Sequence, residues 1–189
     1  RGKAVLRDFI PKMIETPLSF MPGERFQYSL CHDVLAAVVE IVTQKSFSQY
    51  MSEVIFEPLE MKDSSFDNSA KQIADLFMAS EDGKIIKIDN QNNLLPTQAY
   101  ESGGAGLIST VDDYIRFATA LACNGMAKNG YRVLKEETLC LLTTAQLGQL
   151  SVQNSFTCVQ GNDYGYGLGV RVRTAETAWG LPRGEFGWD

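Results

Sequence analysis

The chain has 189 residues, a formal net charge of −6 and 44% hydrophobic residues, a composition that fits one globular domain and excludes disordered, collagenous and coiled-coil classes. Its longest apolar run, 34–42, is interrupted by Glu40 and is too short for the roughly 20 residues a membrane span needs. An acidic chain without a basic cluster lacks the electrostatic footprint of a nucleic-acid binder.

In chain order, Leu6, Phe9, Ile10, Met13 and Ile14 recur at helical spacing, with Pro11 predicting a break or a helix start among them. Met21-Pro22-Gly23-Glu24 reads as a turn. The strongest helix follows. Leu30, Val34, Val38, Ile41 and Val42 form one stripe, widened by Leu35 and Val39, and so wide a stripe predicts burial. Ser46-Phe47-Ser48-Gln49 reads as a capping box, the Ser46 hydroxyl and Gln49 amide satisfying free N–H groups. The helix it opens turns Phe47, Tyr50, Met51, Val54 and Ile55 inward and stops at Pro58. Ile85, Ile86 and Ile88, then Leu94 and Leu95, flank an Asn-rich stretch at 89–93 and predict a small hairpin. Thr110, three residues before Asp113, caps a helix over 111–122 that Asn124-Gly125 closes. Another helix is predicted over 135–144. Tyr164, Tyr166, Leu168, Val170 and Val172 alternate with Gly and Arg, the pattern of a half-buried strand. The pattern predicts a mostly helical α+β chain with strand material concentrated after residue 160.

Cys31, Cys123, Cys140 and Cys158 are scattered, and His32 is the one histidine. Without a Cys-x-x-Cys pair or clustered imidazoles, no metal site is predicted. The thiols are expected to be buried or half-buried core residues, which favours a reducing, cytoplasmic compartment. Asp33 follows His32, but adjacent helical side chains diverge by about 100° and cannot make the ring-orienting contact of a Ser-His-Asp triad. No Gly-x-Ser-x-Gly elbow occurs, because Tyr100 stands where Ser102 would need a glycine. No lysine has a serine three residues before it. Gly103-Gly104-Ala105-Gly106 precedes a capped helix yet lacks the Gly-Lys-Ser/Thr ending of a phosphate loop.

One constellation has a family likeness. Pro22-Gly23-Glu24-Arg25-Phe26-Gln27-Tyr28-Ser29-Leu30, followed by Asp33-Val34-Leu35, resembles the second motif of serine β-lactamase-like hydrolases of the class C type. Glu40-Ile41-Val42-Thr43 with Ser46-Phe47 is similar to that family's next helix. The stretch Ile55-Phe56-Glu57-Pro58-Leu59-Glu60-Met61-Lys62-Asp63-Ser64-Ser65-Phe66 resembles its Pro-Leu-Gly-Met-x-x-Thr-x-Phe segment. Ser102-Gly103-Gly104-Ala105-Gly106-Leu107-Ile108-Ser109-Thr110, ahead of Asp112-Asp113-Tyr114, resembles its glycine loop and following helix. Tyr164-Gly165-Tyr166-Gly167-Leu168-Gly169 and Gly184-Glu185-Phe186-Gly187-Trp188 resemble the strands leading to its third motif. Five blocks in family order make the likeness strong.

The resemblance implies a partial domain over 1–189 of the β-lactamase/penicillin-binding-protein-like fold, mainly its helical lobe and the first returning antiparallel strands. The chain begins at Arg1 without methionine and ends at Asp189 inside a motif-like stretch, so it is expected to be a segment of a longer protein. In the family a Ser-x-x-Lys serine attacks a carbonyl to give an acyl-enzyme, and a second-motif tyrosine shuttles protons with the lysine. Tyr28 matches that tyrosine. A phenol, with pKa near 10, acts as a base around neutral pH only beside a cation, which such a lysine supplies. The nucleophile is expected upstream, leaving this chain inactive alone.

Two departures from the family pattern bear on substrate. Leu30 stands where penicillin-acting members carry the Asn of Tyr-x-Asn, and Trp188 stands where their Lys-Thr-Gly cation would be. Losing an amide and a cation weakens recognition of an anionic β-lactam. Tyr-Ser-Leu with a Trp third motif looks instead like the family VIII carboxylesterases. The implied site residues are Tyr28 as base, and Trp188, Gly104 and Gly106 around a small ester or amide substrate, with no cofactor. A β-lactamase or D-alanyl-peptide hydrolase, or a non-catalytic homologue serving as a binding module, stay open as alternatives.

Overall fold

Helix α2 (Cys31–Thr43) buries a narrow face of small and acidic residues, Asp33, Ala36, Ala37 and Glu40. The computed structural model describes residues 6–13, 15–67, 73–87, 101–148, 151–152, 164–176, 180 and 183–188. They fall into two units, Arg1–Ile14 with His32–Tyr114, and Glu15–Cys31 with Ile115–Asp189.

In the first unit, α1 (Leu6–Met13) lays Leu6 against Ala36 and Ala37, with Ile10 and Phe47 packed around them. The small alanines permit this close approach. Pro11 lies inside α1 instead of breaking it; only Lys12 and Met13 follow, so its missing N–H costs the short helix little. Glu40 accepts the Arg7 N–H at 3.2 Å and the Phe47 N–H at 3.0 Å, satisfying the first turns of two helices with one carboxylate. The second of these, α3 (Phe47–Met51), is capped by Ser46, whose Oγ accepts the Gln49 N–H at 3.1 Å. The other half of the predicted box is replaced: the Gln49 side-chain amide donates to Glu53 at 2.9 Å. A π-helical turn, Ser52–Phe56, ends just before Pro58 and buries Phe56, while Phe47 meets Phe66 edge-on at 5.2 Å.

Strands β2 (Phe77–Ala79) and β3 (Ile85–Lys87) form an antiparallel hairpin. Ile85 and Ile86 pair with the strand that precedes them, across Asp82-Gly83, a strong short-range turn signal. Ile88, the expected turn at 89–93 and Leu94 and Leu95 lie outside the described residues. Helix α4 (Val111–Ala122) matches its prediction: Thr110 Oγ1 accepts the Asp113 N–H at 3.2 Å, and Asn124 and Gly125 leave it with φ of 54° and 78°.

In the second unit, β1 (Arg25–Phe26) runs parallel to β4 (Ser151–Val152), and α5 (Glu136–Leu142) falls within its predicted span. The stretch 164–172 is a hairpin and not one strand. Tyr164–Tyr166 (β5) pairs with Arg171–Arg173 (β6), which pairs with Phe186–Gly187 (β7), all antiparallel. The alternation does not continue as one strand because two of its glycines serve the turn: Gly169 takes φ 86° and the Gly167 N–H donates to the Val170 carbonyl at 2.8 Å. Among the described residues β1 to β4 precede residue 160, so strand material is spread along the chain and not concentrated after that point.

Two burial expectations are corrected. The aliphatic stripe of α2 is exposed, not buried, because the opposite face finds partners for Asp33 and Glu40, and a buried face is set by available partners as much as by hydrophobicity. Cys31, Cys123 and Cys140 are exposed free thiols, standing on outward helix or turn positions; Cys158 lies outside the described residues. Among the described residues, no helix is long and apolar enough to cross a membrane.

Candidate active site

The turn at Met21-Pro22-Gly23-Glu24, closed by the Glu24 N–H on the Met21 carbonyl at 3.1 Å, feeds directly into β1 and then Tyr28. Tyr28 is half-buried and stacks on Trp188, with ring centroids 5.1 Å apart and planes 18° from parallel. These are two of the residues expected at the site, 160 positions apart in sequence, and the second unit holds them face to face.

What fixes the pair is an aromatic chain. Trp188 meets Tyr166 edge-on at 5.8 Å, and Tyr166 meets Phe26 at 4.8 Å. Tyr166 is the buried hub, supported by Leu147. Such contacts contribute beyond area burial and, more to the point, restrict ring orientation. The segment that leads through β7 to Trp188 is clamped in turn: Glu185 accepts from the buried Arg173 at 3.0 Å, and Arg173 also donates to Tyr164. Both Arg171 and Arg173 lie over the Tyr164 ring, at 4.8 and 4.3 Å from its centroid. Partial burial pushes the Glu185 carboxyl up, but hydrogen bonds from Arg173 and Tyr164 and the two guanidinium charges outweigh it and hold it below its ordinary value. Leu30, which the resemblance sets against the Asn of penicillin-acting members, is exposed.

The expected glycine residues belong to the first unit. There the Asp33 carboxylate accepts the Gly103 N–H at 3.0 Å, which fastens the loop to the first turn of α2. A Cβ on Gly103 would stand 2.6 Å from the His32 carbonyl oxygen and 2.7 Å from the Ala36 Cβ, so only glycine lets the backbone lie so close. Gly104 is exposed, and its nearest neighbour, an Asp33 oxygen, would be an ordinary 3.5 Å from an added Cβ. Gly106 is buried, its N–H donating to the Ser102 carbonyl at 3.0 Å. Behind the loop, Asp113 accepts from Ser64 Oγ at 2.9 Å and from the Asp63 N–H at 2.7 Å, joining the 61–67 segment to α4. The sequence reading gives Asp33, Glu40 and Tyr166 no anchoring role, although each stands in a family-like block. Their one signal is a carboxylate or a phenol at a position periodic with buried neighbours.

A profile of the Beta-lactamase family matches residues 3–189. Protein Rv1367c of Mycobacterium tuberculosis (strain ATCC 25618 / H37Rv) is 30% identical over 168 residues, which cover 85% of this chain and 41% of the relative. Esterase EstB of Burkholderia gladioli is 30% identical over 141 residues, 63% of this chain and 36% of the esterase. Among solved structures, the LovD6 mutant of simvastatin synthase from Aspergillus terreus superposes with a TM-score of 0.68 at 21% identity, covering 93% of this chain and 48% of that one. That superposition speaks for the α+β fold. The chain spans less than half the length of these relatives.

Proposed function

Because the chain belongs to the Beta-lactamase family, we propose that it is part of a serine hydrolase that cleaves small esters through an acyl-enzyme. The observation that carries this reading is the stack of Tyr28 on Trp188. It gives the second-motif tyrosine an aromatic neighbour at the third-motif position, where a β-lactam-binding site needs a cation for the substrate carboxylate. EstB, an esterase, is among the relatives.

In this reading Tyr28 takes the proton from a serine of a Ser-x-x-Lys pair, which these 189 residues do not contain, as that serine attacks the ester carbonyl. It then passes the proton to the departing alcohol, and water later releases the acyl group by the reverse transfer. Trp188, about two-fifths exposed, lines the acyl or alcohol pocket.

The test is a substrate comparison in the complete protein. It is expected to hydrolyse a short-chain nitrophenyl ester with kcat/KM at least about 100-fold above that for nitrocefin, because an unpaired anionic carboxylate facing Leu30 and Trp188 finds neither amide nor cation. Comparable values for the two would overturn the ester assignment and return the β-lactam reading.

A further inference from the structure

Trp188 follows directly on a very short strand. β7 is two residues long, Phe186 and Gly187, and Gly184 turns the chain into it with φ 89°. So brief and glycine-rich a strand specifies its register weakly. A slip of one residue against β6 would carry its side chains to the other face of the sheet and draw Trp188 away from Tyr28. The two-residue ladder needs a second device to hold it.

We infer that the ion pair of Glu185 with Arg173 is the register pin of β7, and that both are positioning residues of the ester site, acting on substrate through Trp188. The inference rests on the reading of Trp188 as a wall of that pocket. The backbone sets the pair opposite each other: the Arg173 N–H donates to the Glu185 carbonyl at 2.8 Å, and the Gly184 N–H to the Arg173 carbonyl at 3.0 Å. Tyr164 faces Arg173 from β5, so Tyr164, Arg173 and Glu185 form one row across the sheet. Within the row the carboxylate uses both oxygens. Oε2 accepts from Arg173 Nε at 3.0 Å and from the Tyr164 hydroxyl at 3.2 Å, and Oε1 lies 3.6 Å from Arg171 Nη2. Phe186 stands opposite Val172 in this register. A slip by one sets Glu185 opposite Val172 or Thr174 and turns its carboxylate off this face. Two guanidinium ions would then share the Tyr164 ring without the Glu185 counter-charge, and one of them belongs to Arg173, which is 5% exposed. Stranding a buried charge costs more than the few ladder bonds a slip exchanges.

The test is a double-mutant cycle in the complete protein, read as kcat/KM for a short-chain nitrophenyl ester. Glu185→Gln keeps the shape of the side chain and removes its charge. It is expected to lower kcat/KM about tenfold, since small displacements beside reacting groups cost up to about 10²-fold. Trp188→Ala should lose at least as much. Because Glu185 acts through Trp188, the double variant should match Trp188→Ala within about twofold. An ion pair that only stabilises the fold would lower the melting temperature and leave kcat/KM of the folded protein unchanged. Where Glu185→Gln yields no folded protein, Tyr164→Phe takes its place in the cycle. It removes one hydroxyl, shared by Glu185 and Arg173, and should lower kcat/KM about threefold. Wild-type kcat/KM in the folded variant, or losses that multiply when it is combined with Trp188→Ala, would overturn the pin and leave the pocket reading standing. A Trp188→Ala protein as active as wild type would remove Trp188 from the pocket and overturn both.

Discussion

Tyr28→Phe in the complete enzyme is expected to lower kcat by about 10²–10⁴-fold, with KM changed little. The substitution removes one hydroxyl and keeps the ring that stacks on Trp188 at 5.1 Å, so the aromatic chain through Tyr166 to Phe26 should survive. Folding should therefore stay near wild type. If Tyr28 only packs, the outcome reverses: loss of a partly buried hydroxyl costs roughly 1 kcal/mol of stability and leaves turnover intact. Measuring kcat and the melting transition on the same variant separates the two. A variant that keeps more than about a tenth of wild-type kcat would remove Tyr28 from the proton transfers.

Gly103→Ala is expected to be clearly destabilising. Its methyl would sit 2.6 Å from the His32 carbonyl oxygen and 2.7 Å from the Ala36 side chain. Backbone and a buried alanine cannot swing aside, so the loop must lift and lose its bond to Asp33. Overpacking of this kind costs about 1–3 kcal/mol, and the melting point should fall by several degrees, at about 2–4 °C per kcal/mol. Gly104→Ala is the matched control. Its methyl would have no neighbour nearer than 3.5 Å, and it should melt within about 1–2 °C of wild type. Equal melting of the two variants would mean that the loop is not seated on α2 as described.

Local chemistry was the readable part of this fold. Caps and turns depend on residues within a few positions of one another, so Thr110 over Asp113, Ser46 over Gln49, the Met21–Glu24 turn and the Asn124-Gly125 stop could all be read from the sequence. Partnering across the chain was not. The hydrophobic width of α2 pointed to burial of Val38 and Val42, whereas the buried side is the one whose carboxylates reach the N–H groups of Arg7, Phe47 and Gly103. Nothing within a helical turn of Glu40 or Asp33 announces those donors. The 164–172 stretch failed for a related reason: glycine satisfies a period-two pattern as readily as a polar residue does, yet here it makes a turn. At the site, motif order brought Tyr28 and Trp188 onto one short list, but Tyr166, which holds Trp188 from the side, was readable only as a strand residue.

Acyl-enzyme formation is the step on which the functional reading turns, and intact-protein mass spectrometry reports it directly. The complete protein is mixed with a short-chain nitrophenyl ester and quenched in acid during turnover. One acyl group should appear on the wild-type protein and chase away as substrate is exhausted, while Tyr28→Phe should acylate at least about 100-fold more slowly. Nitrophenol release without any acyl adduct, or no reaction of the complete protein with the ester, would contradict it.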